Sequence, residues 1–469
     1  MESVKPKLRD EYYLFSLIAA LLTVIFATLI VFLDYKYSFL AFVAVTAGGF
    51  FVYSGFRSPW LMLFPIAIGS YMGALFYFFE NSPLPVTLFQ LFLVAGFSLL
   101  ILHSLSSKNF DIKLSGLELP VLLTLSLIFV SLIYSPSQES GFFNAIRFLI
   151  LMVFVLYVIN VIQSHRQSLY ILIALVTVGF FLAAYTMGEY LLNPQIAIDN
   201  MLSAGASLTR VSAGGLYHDP NRFAAILFIP SAVSVAVIFS SLNWKYRLAA
   251  IFVFVVLLGG VVSTLSRSGL ISIAVIILII ITLSKKWKFA VILGASALAV
   301  VLVVPALREA LFTTIVRIYE VAFGSTDASA GIRVMLAVAG LSMFFDTYMI
   351  GIGFGGFPER FTDYYTLQQS IGVNMPHNVT YKIMAELGLL GLLLFLYLIV
   401  KVCRAGYTAW KKAVSESEKI LYSALFSSLF AYMIFYQFYG GALTDSNLML
   451  VIGMIFAGDK LYFGNKGSA

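Results

Sequence analysis

Long uninterrupted apolar runs recur along this 469-residue chain, and no other feature limits its fold so strongly. Runs of about 17 to 25 residues are long enough to cross a hydrocarbon layer as helices. Backbone N–H and C=O groups inside lipid must be satisfied within the protein, which leaves helices or closed barrels. These runs are continuous rather than alternating, so a lipid-facing β-barrel is excluded. By length they place spans near 13–32, 39–55, 59–79, 85–104, 117–134, 145–162, 168–190, 222–241, 248–264, 269–283, 288–306, 379–400, 419–438 and 446–460. The expected fold is an all-α polytopic membrane protein with about 14 transmembrane helices, in a range of 12–14. The composition, 61% hydrophobic and 11% charged, departs in the same direction from the roughly quarter-charged balance of soluble domains. The lipid bilayer is therefore the first partner, and no nucleic-acid partner is expected.

The first run, "LFSLIAALLTVIFATLIVFL", is too long for the apolar region of a signal peptide and lacks a small-x-small exit, so it reads as a retained span. Cys403 is the single cysteine, which excludes an intramolecular disulfide and a thiolate metal site.

Cytoplasmic loops collect Lys and Arg. With both termini cytoplasmic, the inner loops hold nineteen of the twenty-nine basic residues and the outer side ten. Fourteen of the inner nineteen are Lys, whereas eight of the outer ten are Arg: Arg147, Arg210, Arg222, Arg267, Arg308, Arg317, Arg333 and Arg360. Topogenesis does not distinguish Lys from Arg, but bidentate pairing with phosphate does. The outer face thus reads as suited to anions. The bland alternative pairs these arginines with outer acids such as Glu359 and Asp363.

Four outer stretches concentrate polar residues. In "RVSAGGLYHDPNRFA" (210–224), Asp219 before Pro220 is a helix start, with the carboxylate capping free N–H groups. Arg210, Gly214, Gly215 and Arg222 bring two guanidiniums and a flexible backbone to a helix N-terminus, of the kind that binds anions. In "STLSRSG" (263–269), Ser266 and Arg267 sit between two spans with no room for a loop, and a charge so close to the hydrocarbon usually marks function. The outer segment 307–377 opens with an amphipathic helix (Leu307, Leu311, Ile315, Ile318, Val321) fit to lie on the membrane. A short apolar helix follows, carrying Arg333 near its start and ending at Asp346. The glycines at 351, 353, 355 and 356 then let the backbone pass close to something bulky. Finally, "PHNVTYKIMAELGLLG" (376–391) places His377 at the mouth of a span, with Asn378 as the better cap and Tyr381 four residues after His377 on the same face.

These stretches, with "IRVMLAVAGLSMFFDTYMIGIGFGGF" (332–357), resemble in their order the O-antigen ligase and O-antigen polymerase family, over about residues 205 to 400. The resemblance implies a GT-C-like membrane glycosyltransferase of the bacterial cytoplasmic membrane, working on its outer, periplasmic face. It implies a catalytic region at 201–402, including the outer segment 307–377. Transmembrane helices at 1–200 form a scaffold on one side of it, and 403–469 supplies the C-terminal helices. The donor would be a glycan on undecaprenyl diphosphate and the acceptor a glycan or lipid core, as in lipopolysaccharide and other cell-envelope polysaccharide synthesis. Arg210, Arg267 and Arg333 would hold the diphosphate and His377 would assist the acceptor hydroxyl. Asp219, Asn221, Arg222, Ser266, Asn378 and Tyr381 would support them. An aromatic residue often found shortly after the third arginine is absent here.

Independently of the resemblance, a glycan on a lipid diphosphate already carries a good leaving group. Transfer then needs cations for the departing diphosphate and a base for the hydroxyl, for which a neutral imidazole serves. No tight acidic pair occurs at an outer loop and no phosphate-binding loop is present, so no metal and no cofactor are expected. The alternatives are a polysaccharide polymerase with the same donor, and a transporter or flippase. The last predicts intramembrane charge and broken helices, for which Glu386 is the one candidate.

Overall fold

The computed structural model describes residues 48–49, 52–71, 77–78, 86–107, 115–192, 219–303, 308, 312, 328–364 and 376–463. By internal contacts the chain divides into two compact units: Met1–Leu63 with Leu93–Asp111, and Phe64–Phe92 with Ile112–Ala469. In the first unit, His103 Nδ1 lies 2.8 Å from the Phe56 carbonyl oxygen. The expected span 13–32, most of 39–55, Arg210 with its glycines, and the amphipathic helix at 307–321 apart from residues 308 and 312 lie outside the described residues.

The described helices, in chain order, are α1 (Leu63–Tyr71), α2 (Leu88–Ser107), α3 (Glu118–Leu132), α4 (Gln138–Val161), α5 (His165–Leu192), α6 (Pro220–Ile226), α7 (Phe228–Ile238), α8 (Trp244–Ser263), α9 (Arg267–Ser284), α10 (Trp287–Val303), α11 (Ala328–Asp346), α12 (Phe357–Tyr364), α13 (Val379–Lys412), α14 (Glu416–Phe435) and α15 (Ser446–Phe463). A two-stranded antiparallel pair, β1 (Tyr77–Phe78) with β2 (Val86–Thr87), precedes α2. Eight described segments are long and apolar enough to cross a membrane: α2, α4, α5, α6 with α7, α8, α9, α13 and α14. The described helices fit an all-α polytopic membrane fold.

The expected span 59–79 is not one helix. A 3-10 turn at Pro59–Met62 leads into α1, which ends at Tyr71, and Tyr77–Phe78 pair as strand. An apolar run without periodicity does not distinguish helix from strand, and Pro59, Gly69 and the aromatic residues at 77 and 78 tip this one away from a continuous helix. The expected span 379–400 is longer than read, reaching Lys412, and contains a break at Gly388 (φ 65°, ψ −158°).

At the centre of the bundle lies the α6–α7 segment. In its most apolar stretch 83% of residues are buried, against 33% for α8 or α13. Helix α7 packs on α14, α8, α5 and α9. Phe228 sets its ring edge against Tyr432 and Phe435, with centroids 5.3 and 5.4 Å away. Pro230 supplies no N–H to the preceding turn. Beside this junction, the Tyr432 hydroxyl donates to the Ala225 carbonyl at 3.0 Å.

The glycine-rich segment after α11 closes the break in α13. The N–H groups of Ile352 and Gly353 donate to the Ala385 and Glu386 carbonyls at 2.8 and 3.0 Å, and Leu389 N–H donates back to Met349 O at 2.8 Å. These bonds satisfy backbone groups that the interrupted helix leaves open. Glu386 itself is buried, at 1% exposure, beside the start of α12. On its other side the segment meets the α3–α4 turn. Phe354 N–H donates to Ser131 Oγ at 3.1 Å, and Ser135 Oγ donates to Phe354 O at 3.0 Å. Gly353 has φ 95°, and a Cβ there would fall 2.5 Å from Ser135 Cα. The bulky neighbour that these glycines admit is therefore the protein's own backbone.

Candidate functional site

Three helix starts, built by their own capping residues, assemble the site. Asp219 accepts from the N–H groups of Asn221 and Arg222 at 2.9 and 3.3 Å, with Pro220 in the first turn of α6. Ser266 caps α9 by accepting from Gly269 N–H at 3.2 Å, immediately after a turn at Thr264–Leu265. It also donates to Asn221 Oδ1 at 2.7 Å, tying the first start to the second. Gly269 is required there, because a Cβ would come 2.8 Å from Ala224 Cβ. Asn378 caps α13 by accepting from Tyr381 N–H at 3.0 Å.

The segment that follows α14 locks the third start in place. Val379 N–H donates to Tyr436 O at 3.0 Å, Asn378 Nδ2 to Gln437 O at 3.0 Å, and Thr380 Oγ1 to Gln437 Oε1 at 2.9 Å. Asn378, Val379 and Thr380 are thus each tied to that segment. His377 is held half-buried just ahead of the helix.

Arg267, Arg333 and His377 line one cavity of about 510 Å³, together with Asn378, Tyr381 and Gln437. Of the four principal residues expected from sequence, the structure brings three together, and Arg210 lies outside the described residues. Arg333 comes from the second turn of α11, which spans Ala328–Asp346 and so ends at the expected residue. Asp219, Asn221 and Ser266 support the cavity from behind through the bonds above. Arg222 lies instead on a second, neighbouring cavity. Arg360 is paired with Asp363 at 3.0 Å on the surface, so the bland reading holds for that arginine.

His377 titrates below its ordinary value. Burial is the main cause, the Arg333 charge adds to it, and Asp219 opposes both. At neutral pH the ring is uncharged and able to accept a proton. Asp219 uses its other oxygen to accept from the Tyr439 hydroxyl at 2.6 Å. Burial and that carboxylate raise the Tyr439 phenol, so it remains a donor. The His377 and Tyr439 rings lie 6.5 Å apart.

Sequence reading missed Gln437 and Tyr439. Their signal is faint: "YQFYGG" looks like the frayed end of a span, and only its glycines hint at a close backbone approach. A Cβ at Gly440 would meet Pro376 O at 2.7 Å, which places this turn directly against the residue before His377.

The opposite ends of the same helices carry lysine. Lys285, Lys286, Lys411 and Lys419 surround a separate cavity where α9 ends, α13 ends and α14 begins. Arg267 at the start of α9 and Lys285 at its end thus mark opposite ends of one helix, and Arg247 stands with the lysines.

Residues 252–396 match the model of a family described as O-antigen ligase. The similarity to that family covers less than half of the chain, around the cavity. The match covers Arg267, Arg333, His377, Asn378 and Tyr381, and leaves out Asp219, Asn221 and Arg222. A comparison with curated proteins finds no match. The match supports a membrane glycan-processing function of a glycosyltransferase-like kind.

Proposed function

We propose that the protein is a membrane glycosyltransferase that moves a glycan from an undecaprenyl diphosphate-linked donor to an acceptor hydroxyl, as a surface-polysaccharide ligase. One observation carries the reading: two arginines and an uncharged imidazole share a single cavity at the arginine-rich end of the bundle. Positive-inside bias makes the lysine end cytoplasmic, so the reaction would take place on the periplasmic face of the inner membrane.

The acceptor oxygen attacks the anomeric carbon as its proton passes to His377. The bond from that carbon to the diphosphate oxygen breaks, and undecaprenyl diphosphate leaves with the electron pair. Arg267 and Arg333 stabilise the charge that develops, at a place the protein has already organised. Arg210 is assigned beside them by family resemblance. A single displacement inverts the anomeric centre. The reaction is metal-independent on this reading, because the donor itself supplies the leaving group.

Transfer measured with purified protein and lipid-linked donor tests the assignment. Arg267→Gln is expected to lower kcat/KM by roughly 10²–10³, the usual effect of removing one such donor. Arg267→Lys keeps the charge but loses the planar fork and should recover only part. Wild-type rates in His377→Ala and Arg267→Gln would refute the catalytic roles, and inhibition by a chelator would refute metal independence.

A further inference from the structure

A second cavity of about 400 Å³ adjoins the first, with no role in the chemistry above. Its volume falls within the range of about 300–1,000 Å³ usual for small-molecule sites. It is lined by Arg147 of α4, Arg222 of α6, Gln90 of α2, Asp445, Asn447 of α15 and Tyr439. Two of these features are built in. Buried Asn447 accepts from Ser70 Oγ at 2.8 Å. Asp445 accepts from the Tyr436 hydroxyl and from Leu448 N–H, the latter at 2.8 Å.

The two cavities share a wall made by one short turn. Gln437 and Phe438 face the first, and Tyr439, Gly440 and Gly441 face the second. Asp219 bonds to Tyr439 on the second side and exerts its charge on His377 on the first. The proton acceptor of the reaction thus stands next to the partition.

Amide and hydroxyl groups beside aromatic rings are the usual furniture of a saccharide site, in which donors and acceptors meet hydroxyls and ring faces meet sugar C–H groups. Charge sharpens the identification. Two guanidinium groups line the cavity together with Asp445, Arg147 also meeting Asn144 and Asp219 lying behind Tyr439, and their planar forks match carboxylate or phosphate. Gln90, Arg147, Arg222, Asp445 and Asn447 all lie outside the matched region 252–396, so this cavity is built by the rest of the chain.

We infer that this second cavity holds the acceptor saccharide through an anionic group on it, a carboxylate or a phosphate, bound by Arg147 and Arg222. The inference rests on the glycosyltransferase reading. A glycan anchored there would extend its terminal hydroxyl past Tyr439 to His377 while the donor diphosphate occupies the first cavity.

The test uses the full-length protein in nanodiscs, with the lipid-linked glycan of the source cells as donor. The acceptor is those cells' surface glycolipid, used intact, after chemical reduction of its carboxylates, or after enzymatic removal of its phosphates. Arg147→Gln is expected to raise the acceptor KM at least tenfold while the donor KM stays within twofold of the unmodified protein. Arg147→Lys should recover part of that loss, and the unchanged donor KM certifies the fold. One of the two acceptor treatments should weaken the unmodified protein equally and have little further effect on Arg147→Gln, and which one it is identifies the anion. Equal rises in donor and acceptor KM, or treatments that add fully to the substitution, overturn the site. Transfer unaffected by Arg147→Gln overturns it alone, whereas no transfer by the unmodified protein overturns the glycosyltransferase reading as well.

Discussion

Replacing Gly353 by Ala is expected to destabilise the protein by about 2–5 kcal/mol, and two independent routes give that figure. If the segment stays in place, the residue must hold φ near 95°, where a Cβ costs roughly 1–2 kcal/mol. The same Cβ sits 2.5 Å from Ser135 Cα and 2.8 Å from Ser131 O, and overpacking of this kind adds about 1–3 kcal/mol. If the segment moves away instead, it gives up Gly353 N–H to Glu386 O, Phe354 N–H to Ser131 Oγ and Ser135 Oγ to Phe354 O. Three hydrogen bonds at about 0.5–1.5 kcal/mol each amount to a similar loss. Thermal unfolding in detergent reads the outcome. At about 2–4 °C per kcal/mol for domains of 150–250 residues, the midpoint should fall by roughly 5–15 °C. Gly340→Ala is the control, since its Cβ would make ordinary 3.4 Å contacts inside a helix, where Ala is favoured over Gly by up to about 1 kcal/mol. A Gly353→Ala midpoint within 2 °C of the unmodified protein would refute the close-approach argument.

Further outcomes follow from the site. Because His377 titrates below 6.5 and acts uncharged, kcat/KM should rise with pH through a midpoint below 6.5. Asp219→Asn should move that midpoint lower still, since it removes the charge that favours the imidazolium but keeps a capping side chain. An upward shift would contradict the assignment. The same depressed value means that the unfolded chain binds the proton better, so stability should decline as pH falls from 6.5 toward the folded-state value. Ser266→Ala removes both the α9 cap and the donor to Asn221. It should cost about 1.5–3 kcal/mol in unfolding free energy, the sum of a lost cap and a lost hydrogen bond, and no change in stability would show that the two helix starts are held by other means.

Much of the bundle is legible in the apolar runs, because lipid forces helices of a set length, and the helix starts are legible because their caps are local. Asp219 and Asn378 cap their helices as read from sequence, whereas Ser266, read as part of a polar interruption, also proves to be a cap. The site is legible only in part. Arg267, Arg333 and His377 stand out as charge or a titratable ring next to hydrocarbon, whereas Tyr439 and Gln437 act through bonds to residues 220 and 57 positions away. Such pairings arise from packing and leave no periodic trace. The break at Gly388 is hidden for a related reason: "AELGLLG" reads as uninterrupted helix until the glycine-rich segment, more than thirty residues earlier, is seen to supply the hydrogen bonds.

That break has a mechanical consequence. A continuous helix tilts as a rod when the surrounding lipid thins or thickens. In α13 the long portion after Gly388 is joined to the nine residues that precede it through a left-handed glycine, while those nine are pinned to the glycine-rich segment and to the turn after α14. Leu389 N–H and Gly388 are themselves set against Met349 and Ile350, so the joint is braced on both sides and the residues between it and His377 are held at a fixed place on the glycine-rich segment.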